Sequence, residues 1–262
     1  MKSIKKCGYI YYWFSGSLML FPSLTAGMHQ HYPVELYMGL DESFKMNFGN
    51  GWNEYRSVII DTNCPHRFDG SIGWHALLMI DPETNTARHV KKAVLKGNGF
   101  CEPDLNLLNP FIRELQDIKN QVLPVEKIKR IFRDIFQALL KGPVSTEPAN
   151  ERILDIIKTL KNSPEKKISA AELAASVNVS ESRLAHIFKE ETGIPIRRFL
   201  LWLRLIDAVK LIINGTSYTD AAHEAGFSDS AHLSRTYKKM FGVTPSDLLI
   251  NRCRDIKIIS DF

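Results

Sequence analysis

The feature that most constrains this chain is an internal repeat. "SAAELAASVNVS" (169–180) and "SYTDAAHEAGFS" (217–228) align at an offset of 48 residues, with Ser169 on Ser217, Glu172 on Asp220, Ala174 on Ala222 and Ser180 on Ser228. Each copy opens with Ser-x-x-acid, a capping box in which hydroxyl and carboxylate satisfy free N–H groups of the first helical turn. The matching alanine lets a second helix cross closely. Asn178 or Gly226 then supplies a turn residue suited to positive φ, and Ser180 or Ser228 can cap a second helix. The following segments, "SESRLAHIFKEETG" and "SDSAHLSRTYKKMFG", also match once one residue is inserted: Leu184/Leu233, Phe188/Tyr237, Lys189/Lys238 and Gly193/Gly242.

In the second of these, Leu233, Tyr237 and Met240 share one face of a helix, the spacing that buries a stripe. Ser230, Ala231, Ser234, Arg235 and Lys238 occupy the opposite, small and basic face. Short helix, tight turn and longer helix is the helix-turn-helix plan, whose second helix enters a major groove. Between the copies, "PIRRFLLWLRLIDAVKLIING" runs from Pro195, a good helix start, to Gly215, a good helix end. About 19 residues at 1.5 Å rise make a rod of ~28 Å, comparable with the ~34 Å between successive major-groove faces of B-DNA. The rod is expected to hold two reading heads on one side of a duplex.

With these residues in view, 151–250 resembles the DNA-binding domain of the AraC/XylS family of transcription regulators. "GFSDSAHLSRTYKKMFGVTPSDLL" is similar to the family's signature, including Gly226-Phe227, the Lys238-Lys239 pair and Gly242 followed by Thr244-Pro245. The family usually ends "TP-x-x-[YF]-R", whereas this chain has Leu248-Leu249, so the packing there is expected to differ. The resemblance implies a cytoplasmic regulator that binds double-stranded DNA through two adjacent major grooves and controls RNA polymerase, as an activator more than a repressor. Carried over by position, base contacts fall to Ser182, Arg183, Ala185 and His186 in the first reader and to Ser230, Ala231, Ser234 and Arg235 in the second. Arginine can donate two bonds to guanine, and serine or alanine allows close approach. Lys189, Arg204, Lys238 and Lys239 are assigned to phosphates, which fix position without reading sequence.

The first half has a different period. "SLMLF", "VELYMGL", "FKMNF", "YRSVIID" and "WHALLMI" read as short strands, with Asn50-Gly51 in "FGNGW" as a hairpin signal. The expected fold is therefore α+β in two domains. A cupin-like sensor and dimerisation barrel spans 1–141 and a linker spans 142–150. An all-α domain spans 151–254, with helix-turn-helix motifs at 170–191 and 218–241. Everything after the linker reads as helical. "VEKIKRIFRDIFQALLKG" places Val125, Ile128, Phe132, Ile135 and Leu139 on one stripe, which serves either a homodimer contact or packing on its own barrel.

Net charge is +5, spread as +2 over residues 1–150 and +3 over 151–262, too mild by itself to establish an anionic partner. Cys7, Cys64, Cys101 and Cys253 have no C-x-x-C spacing and read as reduced thiols. The N-terminal "MKSIKKCGYIYYWFSGSLMLFPSLTAG" imitates a secretory signal. Its aromatic content and the break at Ser15-Gly16-Ser17 fit two short strands around a turn better. No stretch reaches the ~18 apolar residues of a bilayer span, so no membrane partner is expected.

"GMHQHYPVELYMG" carries His29, His31 and Glu35 with one parity on an extended chain, and "CPHRF" adds His66. His-x-His-x3-Glu with a distant histidine resembles the metal pattern of cupin barrels. Three imidazoles and a carboxylate suit Zn²⁺, Fe²⁺ or Mn²⁺. The same side chains can instead line a pocket for a small organic effector, or serve no ligand, and Pro33 can bend the strand and spoil the parity. No cofactor is required by the regulator reading. The runner-up, a metal-dependent cupin enzyme with a helical appendage, leaves the duplicated motif unexplained. No G-x-S-x-G, phosphate-cradling loop or H-E-x-x-H is present, so no catalytic residue is assigned.

Overall fold

The computed structural model describes residues 8–119, 121–143, 150–163, 168–245 and 256–260. Cys7, Cys253, most of the linker and Leu248-Leu249 lie outside the described residues. The aromatic N-terminal stretch forms a hairpin of β1 (Gly8–Trp13) and β2 (Gly16–His29), closed where Trp13 faces Gly16. β3 (Val34–Gly39), β4 (Phe44–Asn47), β5 (Trp52–Tyr55), β6 (Ser57–Ile60) and β7 (His66–Ile80) follow. The long β7 pairs with β2, β3 and β4 and so organises the sheet. "YRSVIID" is divided at Arg56, whose guanidinium donates to the carbonyls of Leu40 and Asp41. The β4–β5 hairpin forms, but as a four-residue loop between Asn47 and Trp52 with positive φ at Gly49 and Gly51 instead of Asn50.

After β7 come α1 (Asn85–His89), continuing as a π-turn over Val90–Leu95, the short β8 (Phe100–Cys101), α2 (Leu105–Ile118) and α3 (Val125–Leu140). The α3 stripe is buried, with Phe132 edge-on to Trp13 at a ring separation of 4.8 Å. It packs into one core with Leu18, Leu36, Leu78 and the α2 face. The candidate homodimer contact is thus covered by its own domain. Burying that much apolar surface internally removes the driving force for a partner at the same place.

The helical half comprises α4 (Glu151–Asn162), α5 (Ala170–Ser176), α6 (Glu181–Thr192), α7 (Ile196–Ile213), α8 (Tyr218–Glu224) and α9 (Ser230–Phe241). Ser169 and Glu172 close the capping box on α5, and Ser217 accepts from the Asp220 N–H on α8. Asn178 and Gly226 take positive φ at 53° and 81°. Ser180 caps α6 as expected, but α9 is capped by Asp229, whose carboxylate accepts from the His232 N–H at 2.6 Å. Ser228 instead bonds Asp229 and His232 side chains. No described helix is long and apolar enough to cross a membrane.

The latter part is not wholly helical. β9 (Ile256–Ser260) pairs in parallel with β1, Gly8 facing Ile256 and Tyr12 facing Ser260. The expectation that everything after the linker is helical is corrected here, by a strand that lies beyond the span 151–254. β1 would otherwise present an open edge of N–H and C=O groups, and the β-branched "IKIIS" satisfies it. The sheet path therefore runs β8-β6-β3-β7-β2-β1-β9.

Candidate nucleic-acid interface and buried histidine pocket

α7 is the element that sets the two readers. Its first half, through Phe199, Trp202 and Leu203, packs with Leu184 and Phe188 of α6 in one core. Its second half, through Leu205 and Ala208, packs with Ala222 of α8 and Leu233 and Tyr237 of α9 in another. Eighteen residues separate these ends, a rod of ~27 Å at 1.5 Å per residue. Ala174 and Ala222, the matched alanines of the repeat, are both buried where the helices cross.

The faces of α6 and α9 away from these cores are open. Ser182, Arg183, Ala185, His186 and Lys189 are exposed on α6, and Ala231, Arg235 and Lys238 on α9, with Ser230 and Ser234 half-buried. His186 lies 3.9 Å from Glu190 one turn on. Two of the expected cations sit elsewhere. Arg204 is half-buried on α7, its guanidinium stem lying against Gly226 in the second turn. Lys239, though exposed, lines a cleft of about 200 Å³ between the domains with Gln30, Asn63, Arg198 and Trp202.

The helical half rests directly on the sheet domain. Lys161 of α4 pairs with Asp81 at 2.8 Å, donates to the Phe14 carbonyl and stands over the Phe14 ring. Tyr32 packs on Phe199 and Trp202 and donates to Glu83 at 2.6 Å. Arg88 of α1 pairs with Glu191 of α6. Burial, and then the neighbouring Asp81, push the Glu83 carboxyl up to about 7, against the pull of Lys161. None of these contacts carries a local sequence signature, because each depends on how the two halves meet.

His29, His31, Glu35 and His66 do converge, and all are buried. Strand parity is not what gathers them, since β2 ends at His29 and β3 begins at Val34, with Pro33 in the break. Register does: His29 faces His66 across the β2–β7 pair, and the turn through His31 folds back over them. One nitrogen from each histidine lies within 4.8 Å of the others. Glu35 stands outside that set, with its carboxylate 3.2 Å from His31 Nε2 and 3.7 Å from His66 Nε2. Burial lowers the imidazole of His29 to about 4 and of His66 to about 3, holds His31 well below its usual range, and raises Glu35 well above the ordinary carboxylate range.

Beside the cluster is an apolar cavity of about 80 Å³. Met19, Phe21, Leu77 and Met79 of the sheet line it, and Phe241 and Val243 at the end of α9 close it. His29 and His31 are at its wall. Sequence reasoning found the histidines but not the apolar lining, whose residues read simply as alternating strand positions.

Comparison with known proteins agrees with this geometry. A family model described as "Helix-turn-helix domain" matches residues 173–250. The HTH-type transcriptional regulator YidL of Escherichia coli K12, itself uncharacterised, is 28% identical over 162 residues, covering 62% of this chain and 54% of that protein. The transcriptional regulatory protein HptR of Staphylococcus aureus is 30% identical over 114 residues, 44% of each chain. The chain thus spans about half the length of the curated relatives it matches. ToxT from Vibrio cholerae shares the fold over 90% of this chain and 98% of its own, with a TM-score of 0.58 and 14% identity. A ToxT structure described as unsaturated fatty acid bound covers 95% and 97%, with a TM-score of 0.53 and 13% identity. The chain carries a helix-turn-helix domain on its C-terminal side and has the two-domain fold seen in ToxT.

Proposed function

We propose that this chain is a cytoplasmic, sequence-specific DNA-binding transcription regulator whose sheet domain takes a small effector. The observation that carries this reading is the pair of solvent-facing helices, α6 and α9, mounted on opposite ends of α7 with basic, small-residue outer faces. Arg183 and Arg235 read guanines, while Ser182, Ala185, His186, Ser230, Ala231 and Ser234 set close approach. Lys189 and Lys238 hold phosphates. Arg204 steadies the turn at Gly226 and Lys239 faces the interdomain cleft, so both leave the contact set. Action on RNA polymerase, as an activator, follows from the family resemblance. A homodimer would have to use a surface other than the α3 stripe.

The effector proposed for the cavity is a slender apolar molecule, as the lining is apolar and ToxT of the same fold is described with an unsaturated fatty acid. Ligand pockets usually measure ~300–1,000 Å³, so entry requires Phe241 and Val243 to give way. Because these belong to the end of α9, occupancy shifts the population of reader positions. The enzyme reading leaves the duplicated helix-turn-helix unexplained.

Selection of bound fragments from a random DNA pool tests the proposal. The expected product is a non-palindromic site with two specified blocks about one helical turn, ~10 bp, apart. A palindrome, or enrichment of a single block, would reject two-headed reading by one chain.

A further inference from the structure

The histidine cluster offers more than a wall to the effector cavity. In a buried site every polar group needs a partner. Yet His31 Nδ1, His66 Nε2 and Glu35 Oε1 are buried with no well-directed hydrogen bond. Two other ring nitrogens of the cluster are already committed. His29 Nδ1 lies 2.7 Å from the Gly27 carbonyl and His66 Nδ1 lies 3.0 Å from the Cys64 carbonyl. An imidazole nitrogen facing a carbonyl carries the proton, which leaves the Nε2 lone pair as the ligand atom; metal-binding histidines are oriented in the same way. Tetrahedral zinc with bonds of ~2.0–2.1 Å sets its ligand atoms about 3.4 Å apart. The nitrogens here, within 4.8 Å of one another, need only small side-chain rotations to reach that spacing.

We propose that His29, His31 and His66 bind one divalent first-row transition ion, zinc by the borderline donor set, with Glu35 supplying the compensating charge, and that the ion fastens the end of α9 to the sheet domain. The fastening runs through two short paths. His29 donates to the Gly27 carbonyl, and the Gly27 N–H donates to the carbonyl of Gly242, the residue that ends α9, at 2.8 Å. The His31 ring also lies against Phe241, the last residue of α9, at 5.4 Å between ring centres. An ion bound only when these elements are assembled shifts the docked-to-undocked ratio about 100-fold at a free concentration 100 times its dissociation constant. The site itself stands apart from DNA reading; its regulatory meaning rests on the regulator proposed above.

The test uses the full chain, purified without a histidine tag, stripped with a chelator and titrated with zinc chloride against a chromophoric zinc indicator. One ion per chain is expected. His66→Ala should weaken binding by more than about 100-fold and Glu35→Gln by about 10- to 100-fold. Hydrogen exchange of the amides at 238–243 should slow on adding zinc to the wild type and stay unchanged for His66→Ala. Wild-type protein that takes up no zinc near one equivalent overturns the site. Zinc uptake without slower exchange at 238–243 overturns the fastening. If His66→Ala fails to fold by circular dichroism, the wild-type titration and exchange decide alone. No DNA enters these measurements, so a failed DNA selection rejects the regulator and leaves the metal site standing.

Discussion

Arg235 and Lys238 stand three positions apart on the outer face of α9, both exposed, yet in the proposed regulator their chemistry separates their roles. A guanidinium placed toward base edges discriminates among base pairs, whereas an ammonium further along the helix meets the sequence-blind backbone. Arg235→Ala should relax preference at one position by about 1–3 kcal/mol. Lys238→Ala should weaken binding to all sequences alike and lower the salt slope by about 1. Mobility-shift titrations at several salt concentrations on matched and mismatched sites check this. Identical losses for the two variants would contradict the division. Ala231 and Ser234, four and one positions before Arg235, serve the proposed docking in the same way, since short side chains leave the helix axis free to approach.

Two glycines that end reading helices separate local from long-range demands at the level of the element. Gly193 closes α6 at φ 76°, and a side chain there would meet the Thr62 side chain at 3.4 Å and Lys91 Nζ at 3.9 Å, both ordinary contacts. Gly242 closes α9 at φ 69°, where a Cβ would come within 2.5 Å of the Gly27 carbonyl and 2.7 Å of His29. Gly193→Ala is expected to cost about 1 kcal/mol for the left-handed backbone alone. Gly242→Ala should cost clearly more in thermal unfolding and speed amide exchange at Gly27; equal costs would show that the close approach is unimportant. The need for both glycines as helix ends was legible, because a C-terminal left-handed cap is a local event, as are the Ser-x-x-acid caps and the turn at Asn178. What escaped the sequence reading is non-local. The pairing of "IKIIS" with β1 and the closing of the cavity by Phe241 each depend on a partner far along the chain, whereas capping by Asp229 in place of Ser228 is a local choice between two adjacent capping residues. The histidines lie between these cases: their types were legible, but their meeting is a product of β2–β7 register.

For the molecule as a whole, the decisive surface lies between the sheet domain and the helical half. Glu83 sits in it, faced by Asp81, Lys161, Tyr32 and Tyr12, with its carboxyl raised to about 7. A carboxyl that holds its proton more tightly when folded adds stability that is full below its ordinary range near 4.5 and lost as pH rises through about 7. The melting temperature of Glu83→Gln should therefore fall less than that of the wild type between pH 5 and 8, by calorimetry. Parallel curves would remove Glu83 from the account. The pairing of β9 with β1 adds a mechanical consequence. The chain leaves the sheet after α3, builds both readers, and returns to the sheet's far edge, so the DNA-reading half is slung between two moorings. A body moored twice tilts and does not wander. In the regulator proposed above, an effector would change that body's attitude toward the duplex instead of freeing it, and a chain cut before Ile256 would keep the Lys161–Asp81 and Arg88–Glu191 ties while losing the rein at β1.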